Sequence, residues 1–256
     1  SRYCFAVYPI AATAVGARLV LAEALPADAD MPLGHDLAAM AAGIGARTKL
    51  VFFANPNNPT GTWFSSADLE AFIAKVPTHV LVVADEAYIE YVTDAGLTSA
   101  LALRDRFPNL IVSRTFSKAH GLAGLRAGYL VADPAVVGLI EPIRESFNLN
   151  AMALAAAEAA LSDPAHLERV RECNAIERAW LAAGLAGLGL RVLPSQTNFL
   201  LVYFGTGAAA IERMLFDRGV ILRPMGGYGL GDHLRITICG RAENQRLLDT
   251  LQAVLA

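Results

Sequence analysis

One stretch of the sequence joins an apolar run to a group of polar side chains: Leu110-Ile111-Val112-Ser113-Arg114-Thr115-Phe116-Ser117-Lys118. Its apolar run predicts a buried strand. Thr115 and Ser117 place two hydroxyls just before Lys118, and a turn containing glycines follows over residues 121–126. Hydroxyls, and the arginine that ends this turn, are groups that bind phosphate. The stretch therefore predicts a phosphate site beside an amine, which is nucleophilic when its pKa is lowered. A lone lysine would be interpreted as a solvated surface charge, but the position of Lys118, after a buried strand and before a glycine-rich, uncharged turn, weakens that interpretation.

Further apolar runs lie on both sides of this stretch and alternate with helical patterns. They predict strands over residues 50–53, 79–84, 110–112 and 128–131, with helices over 65–75 and 99–104 between them. The helix at 65–75 is expected to start at Ser66, with Glu70 nearby. Continuous apolar strands separated by helices predict an α/β fold with a mostly parallel sheet that is buried on both faces. The chain is also expected to open in a strand at Ser1.

The pattern changes after Asp133. Residues 134–188 read as nearly all helical, and an amphipathic stretch over 166–185 is long enough to join two domains. Strands are predicted at 198–203, 219–222 and 233–238, and helices at 207–217 and 241–255. The sequence thus predicts a large domain over residues 1–160 and a smaller α+β domain over residues 161–256, connected by a long helix.

Composition excludes several classes of function. The chain has 256 residues, 55% hydrophobic and 18% charged, with a net charge of -3, which supports a real core and argues against nucleic-acid binding. Cys4, Cys173 and Cys239 have no disulfide or metal-site spacing, and the histidines are scattered, so no metal is expected. No apolar run is long enough to span a membrane. These features favour a cytoplasmic protein.

The loop Asn55-Pro56-Asn57-Asn58-Pro59-Thr60-Gly61 follows the predicted strand at 50–53. Ligands of open α/β sheets bind at the carboxyl ends of the strands. The prolines and the glycine restrict the path of the loop, and the Asn58 amide can donate a hydrogen bond to a ring oxygen. The same residue types also mark ordinary turns, so this loop alone leaves both interpretations open.

The segment Ala84-Asp85-Glu86-Ala87-Tyr88 comes at the end of the next predicted strand. Asp85 could pair with a protonated pyridine nitrogen, which would keep the ring cationic and able to accept electrons. Tyr88 could hydrogen-bond a phenolate oxygen of the same ring. The alternative is a helix cap for Asp85 and a packing role for Tyr88.

A late arginine, Arg235, lies inside the predicted strand at 233–238 among apolar residues. A buried arginine needs a partner, which can be a bound anion or an internal salt bridge. The glycine-rich segment before it, residues 226–231, suits a close-packed or mobile loop.

Together these segments resemble the fold-type I enzymes that depend on pyridoxal 5'-phosphate (PLP), specifically the class II aminotransferases, over essentially the whole chain. Phe5-Ala6-Val7-Tyr8-Pro9, the 55–61 loop, residues 115–126, Thr197-Asn198-Phe199 and residues 223–237 are most similar to the histidinol-phosphate aminotransferase family. The resemblance implies a homodimer that transfers an amino group between L-histidinol phosphate and 2-oxoglutarate or glutamate in histidine biosynthesis, with ping-pong kinetics. It also implies a further N-terminal portion before Phe5, so the chain is expected to be truncated there.

The same resemblance implies a role for each cofactor-binding residue. Phe5 would stack on the pyridine ring, Asp85 would bind its nitrogen, and Asn58 and Tyr88 would bind its 3-oxygen. The cofactor phosphate would be bound by Thr115, Ser117 and Arg126.

The resemblance assigns the chemistry and the substrate to three further positions. Lys118 would hold the cofactor as a Schiff base and then shuttle a proton to and from the substrate carbon. Arg235 would bind the glutamate carboxylate, and Arg223 and Arg235 together would hold the phosphate of histidinol phosphate.

Three alternatives stay open at this level. The chain could act on an aromatic or another amino acid within the same family, or it could be a decarboxylase of amino-acid phosphates. It could also be a non-catalytic module, such as the effector-sensing domain of a transcriptional regulator.

Overall fold

A computed structural model describes residues 1–255, which form two four-stranded sheets with helices packed against them. The helices are α1 Val7–Ala14, α2 Leu37–Ala42, α3 Ser66–Ile73, α4 Pro134–Ile140, α5 Ala151–Leu161, α6 Pro164–Gly187, α7 Ala208–Phe216 and α8 Arg241–Leu255. The strands are β1 Leu50–Ala54, β2 Leu81–Asp85, β3 Leu110–Thr115, β4 Gly128–Val131, β5 Arg191–Val192, β6 Phe199–Tyr203, β7 Arg223–Pro224 and β8 His233–Thr237. Short 3-10 helices lie at Ile89–Tyr91, Ala100–Leu103, Ala123–Leu125, Glu141–Ile143, Gly205–Gly207 and Gly226–Tyr228. Within residues 1–255, no helix combines the length and the apolar character that a membrane crossing requires.

The first sheet has the order β1-β2-β3-β4, with β1, β2 and β3 parallel and β4 antiparallel to β3. The expected α/β fold with a mostly parallel sheet is therefore confirmed. Phe53 and Val82 of this sheet are fully buried and share a core with Leu69 and Phe72 of α3. Because the strands are parallel, the polar residues that follow β1, β2 and β3 all emerge at one edge of the sheet.

The second sheet has the order β5-β6-β8-β7 and is antiparallel throughout. Leu181 and Leu185 of α6, Leu215 of α7 and Leu251 of α8 are fully buried in the core beside this sheet. The division into residues 1–160 and 161–256 stays a prediction. We propose it because α5 ends at Leu161 and the helix that follows packs on the second sheet.

Two local predictions are wrong. Residues 1–6 form no strand, and the helix α1 follows them. Pro9 is tolerated in α1 because it lies in the first turn, where a missing N–H costs little. Residues 219–222 form no strand, because Gly219, with φ 73°, ends α7 and the Val220 N–H bonds back to Leu215. Helix α3 begins at Ser66, as expected, and its N-cap is Ser65, which forms a capping box with Asp68.

Arg178 of α6 ties the loop after β2 to the turn before β6. Its buried guanidinium donates to the carbonyls of Tyr91 and Thr197 at 3.4 and 3.3 Å. It also donates to Thr93 Oγ1 at 3.0 Å and to Gln196 Oε1 at 3.2 Å. Oxygen acceptors from the loop after β2 and from the turn before β6 therefore offset the cost of burying the Arg178 charge.

The 55–61 loop is held against the same turn. Gly61 has φ 81°, and its carbonyl accepts a hydrogen bond from the Gln196 N–H at 3.1 Å. A Cβ atom at Gly61 would lie 2.7 Å from Ser195 Oγ. This close approach fixes the loop that carries Asn58 between the two sheets.

Gly61→Ala should lower the free energy of unfolding by about 2–4 kcal/mol, because it combines a left-handed backbone with overpacking against Ser195. Gly138→Ala in α4 is the matched control, since no atom lies within 4 Å of its added Cβ. That change should stabilise the helix by about 0.5–1 kcal/mol. Urea denaturation of both variants measures the difference, and equal midpoints would contradict the packing argument.

Candidate active site

The structure brings the predicted polar residues together where the carboxyl ends of β1, β2 and β3 face the second sheet. In register, Ala54 at the end of β1 lies beside Asp85 at the end of β2, which in turn lies beside Ser113 of β3. The side chains that meet in this region are Asn58, Asp85, Tyr88, Thr115, Ser117, Lys118, Arg126 and Arg235. Phe5 and Arg223 lie at its margins.

Lys118 lies in the turn after β3, with its Nζ atom 5.3 Å from the ring centre of Tyr88. Partial burial lowers the pKa of Lys118, and the positive charges of Arg235 and Arg126 lower it further, while Asp85 opposes them. The structure therefore does not support the solvated surface charge that a lone lysine suggests. A larger neutral fraction makes the amine a better nucleophile and base.

Asp85 ends β2 and is held by two hydrogen bonds. Its Oδ1 accepts from the Ala87 N–H at 3.0 Å, and its Oδ2 accepts from the Tyr8 hydroxyl at 2.6 Å. The Ala87 contact is a turn of the Asx type and caps no α-helix. Burial raises the pKa of Asp85, although both hydrogen bonds and the charge of Lys118 oppose the shift. Among residues 1–255 it has no salt-bridge partner, so a cationic ring nitrogen would suit it.

Tyr88 is 4% exposed, and its ring meets the Phe199 ring edge-on at 5.3 Å. Burial raises the pKa of Tyr88 to about 12, with Arg235 opposing the shift and Asp85 adding to it. The phenol therefore stays protonated near neutral pH and can donate a hydrogen bond. Tyr88 therefore has the packing role that was the alternative interpretation, against Phe199, and it also faces the site.

Arg235 reaches across from β8 to the 55–61 loop. Its Nη1 atom donates to Asn58 Oδ1 at 2.6 Å, and its guanidinium carbon lies 4.7 Å from the ring centre of Phe199. In the described part of the chain Arg235 forms no salt bridge, so the internal ion pair weighed above is not observed. Because Asn58 uses its oxygen for Arg235, its side-chain N–H groups can donate to another acceptor.

Arg223 is the direct cross-strand neighbour of Arg235 in the pairing of β7 with β8. Such neighbours lie on the same face of a sheet, and like charges placed opposite each other destabilise it. Arg223 is exposed and, over the residues described, has no acidic partner. A doubly charged anion bound between the two guanidinium groups would remove the repulsion.

The residues predicted to form a phosphate site lie close to Lys118 in the turn after β3. The Ser117 N–H donates to Thr115 Oγ1 at 3.1 Å, and Arg126 Nη1 lies 3.5 Å from Ser117 Oγ. Arg126 adopts φ 53°, an uncommon value for a residue with a side chain, and also donates to the Ala123 carbonyl at 2.9 Å. Backbone strain of this kind concentrates at functional sites. The Arg126 guanidinium and the Ser117 hydroxyl are available to an anion, whereas the Thr115 hydroxyl donates to the Ala127 carbonyl at 3.5 Å.

Phe5 precedes α1 and is 36% exposed, with its ring edge-on to Tyr8 at 5.8 Å. It approaches Asp85 only through Tyr8. Sequence reasoning missed two contributors, Tyr8 and Phe199, although both lie in strings that carry the family resemblance. Tyr8 stands three residues after Phe5, and its N–H donates to the Phe5 carbonyl at 3.1 Å, so a single turn at the start of α1 joins the two residues.

Comparison with known proteins gives a consistent result. A family model described as aminotransferase class I and II matches residues 5–251. Histidinol-phosphate aminotransferase 2 of Pseudomonas fluorescens strain Pf0-1 is 50% identical over 256 residues, which cover 100% of this chain and 68% of that protein. Histidinol-phosphate aminotransferase 1 of Nitrosococcus oceani is 48% identical over 255 residues, covering 100% of this chain and 67% of that protein.

A solved structure is similar over the same span. The crystal structure of histidinol-phosphate aminotransferase from Sinorhizobium meliloti, in complex with pyridoxal-5'-phosphate, superposes with a TM-score of 0.87 at 35% identity. The match covers 98% of this chain and 68% of that one. Both sheets described above are thus part of a known architecture.

Proposed function

Because this chain belongs to the class I and II aminotransferase family, we propose that it transfers an amino group between L-histidinol phosphate and 2-oxoglutarate in histidine biosynthesis. The chain is a PLP-dependent aminotransferase. Its substrate pair and the catalytic use of Lys118 are our proposal. Relatives near 50% identity that carry the histidinol-phosphate name support the choice of substrate.

The residues at the site fit the cofactor. Asp85 is a half-buried carboxylate that forms no salt bridge within residues 1–255, which suits a protonated ring nitrogen. The amide of Asn58 and the hydroxyl of Tyr88 would bind the ring oxygen, and Phe5 would cover a face of the ring. The phosphate would be held by Thr115, Ser117 and Arg126. When bound, PLP supplies an electron sink for the reacting carbon.

The chain's own groups then control protons and charge. Lys118 would hold the cofactor through its Nζ atom, and the neutral form of that amine would take a proton from the substrate carbon and return it. The neighbouring guanidinium groups of Arg126 and Arg235 favour that neutral form. The Asp85 carboxylate would stabilise the positive charge of a protonated ring nitrogen. Because one site would serve both substrates in turn, the kinetics should be ping-pong.

The facing arginines, Arg223 and Arg235, are the observation that carries the substrate proposal. A phosphate dianion accepts charge-assisted hydrogen bonds from two guanidinium groups at once. The carboxylate of glutamate or 2-oxoglutarate would use Arg235, which already lies against Asn58. An aromatic amino acid has no group that would need Arg223.

Arg223→Gln should raise KM for histidinol phosphate by roughly 10–100-fold, because a hydrogen-bonded charge is lost. The reaction with glutamate should change by no more than about threefold. Arg169→Gln on the exposed face of α6 is the matched control and should leave both reactions unchanged. Steady-state kinetics of each half-reaction measure the split.

An equal loss with both substrates would contradict the role of Arg223. Phenylalanine or tyrosine used as well as histidinol phosphate would favour the amino-acid aminotransferase alternative, and carbon dioxide release would favour the decarboxylase. The effector-domain alternative requires ligand binding without turnover.

The proposal also includes a homodimer in the cytoplasm, as expected from the resemblance and the composition. Cys4, Cys173 and Cys239 are free thiols in the structure, which suits a reducing compartment.

A further inference from the structure

Tyr8 is a tyrosine of α1 that the family resemblance does not assign to the site. Its hydroxyl donates to Asp85 Oδ2 at 2.6 Å, although the two residues are 77 positions apart. The ring of Tyr8 stacks on Phe52 of β1, with centres 5.2 Å apart and planes 18° from parallel. Its other contact is the edge-on approach to Phe5 at 5.8 Å. Packing from two aromatic rings therefore fixes where this hydroxyl points.

The carboxylate of Asp85 is thereby held at both oxygens. The Ala87 N–H binds Oδ1 from its own strand end, and the Tyr8 hydroxyl binds Oδ2 from a separate helix. Two donors on different oxygens define the plane of the carboxylate, while each oxygen keeps a second lone pair for another partner. Without Tyr8, one anchor would remain and the group could rotate about its Cβ–Cγ bond.

The charge state of Asp85 depends on the same contact. The titratable groups that face the Asp85 carboxylate are those of Lys118, Tyr88 and Tyr8. Burial favours the neutral carboxyl and raises its pKa, whereas the Tyr8 hydrogen bond favours the anion and opposes that shift. Burial and the neighbouring charge also raise the pKa of Tyr8, so it remains a donor.

We propose that Tyr8 is a positioning residue, whose hydroxyl keeps the Asp85 carboxylate ionised and oriented for the ring nitrogen of the cofactor. A neutral carboxyl could not stabilise a protonated ring nitrogen, so Tyr8 acts on the cofactor through Asp85. The inference deepens the proposed function and rests on it for the identity of the ring.

The first test uses the cofactor-free protein and does not depend on activity. In Tyr8→Phe the rings of Phe52 and Phe5 keep their partner, but Asp85 loses a donor to its charged form. Carbon-13 NMR of the Asp85 carboxyl should then show a higher pKa than in the unmodified protein. Tyr203→Phe, at the far end of β6, removes an exposed hydroxyl as the matched control and should not move Asp85. An unchanged Asp85 titration in Tyr8→Phe overturns the proposal.

The second test asks whether the effect passes through the ring nitrogen. Tyr8→Phe should bind PLP about tenfold more weakly, as expected for the loss of a hydrogen bond to a charged group. An analogue of PLP with CH in place of the ring nitrogen should bind both proteins equally. Equal weakening for PLP and the analogue overturns the proposal, because it would show a loss of packing only. If the unmodified protein binds no PLP, the proposed function fails, while the NMR titration still judges the Tyr8–Asp85 contact.

Discussion

Replacing Lys118 by alanine should lower kcat for amino transfer by at least about 10³-fold. Lys118 is the amine in the site, its pKa is lowered by burial and by Arg235 and Arg126, and alanine offers neither a nucleophile nor a base. The visible absorbance of the lysine-bound cofactor should disappear at the same time. Single-turnover kinetics and an absorbance spectrum with added PLP measure both effects.

The control for this experiment is Lys75→Ala, which removes an exposed lysine next to the C-terminal end of α3. It should keep both the absorbance and the rate. Circular dichroism distinguishes a loss of chemistry from a loss of folding in the Lys118 variant. An absorbance band that persists unchanged in Lys118→Ala would show that another group binds the cofactor.

Arg235→Gln is expected to have the second largest effect, a fall in kcat/KM of about 10²–10³-fold with both histidinol phosphate and glutamate. Both substrates would lose a charge-assisted contact, and Asn58 would lose the donor that lies 2.6 Å from its oxygen. The pKa of Lys118 should also rise, because the removal of a nearby positive charge favours the protonated amine. Kinetics of each half-reaction and the pH dependence of PLP attachment measure these effects.

Two comparisons give this prediction its specificity. Arg223→Gln should affect the phosphorylated substrate alone, so the two arginine variants should differ in their response to glutamate. Arg235→Lys keeps a positive charge but not the planar fork, and should recover only part of the loss. If Arg235→Gln spares glutamate, the carboxylate is bound elsewhere.

Much of the site could be predicted from local sequence. Asn58, Asp85 and Lys118 each come just after an apolar strand, and parallel strands bring their carboxyl ends to one edge of a sheet. The pattern of an apolar strand followed by a polar residue therefore identified these three positions, which lie close together in the structure.

Local sequence determined the α/β class, the strands that precede the site and the types of side chain that follow those strands. Apolar periodicity and turn chemistry act over a few residues, so a short segment is enough to show them. Tertiary structure alone decided which side chains touch. Arg235 meets Asn58 across 177 positions, and Tyr8 meets Asp85 across 77. Such contacts depend on how helices and sheets pack and on the register of β7 with β8, which pairs Arg223 with Arg235. No short pattern contains that information, since it arises only when separate elements bury their apolar faces together.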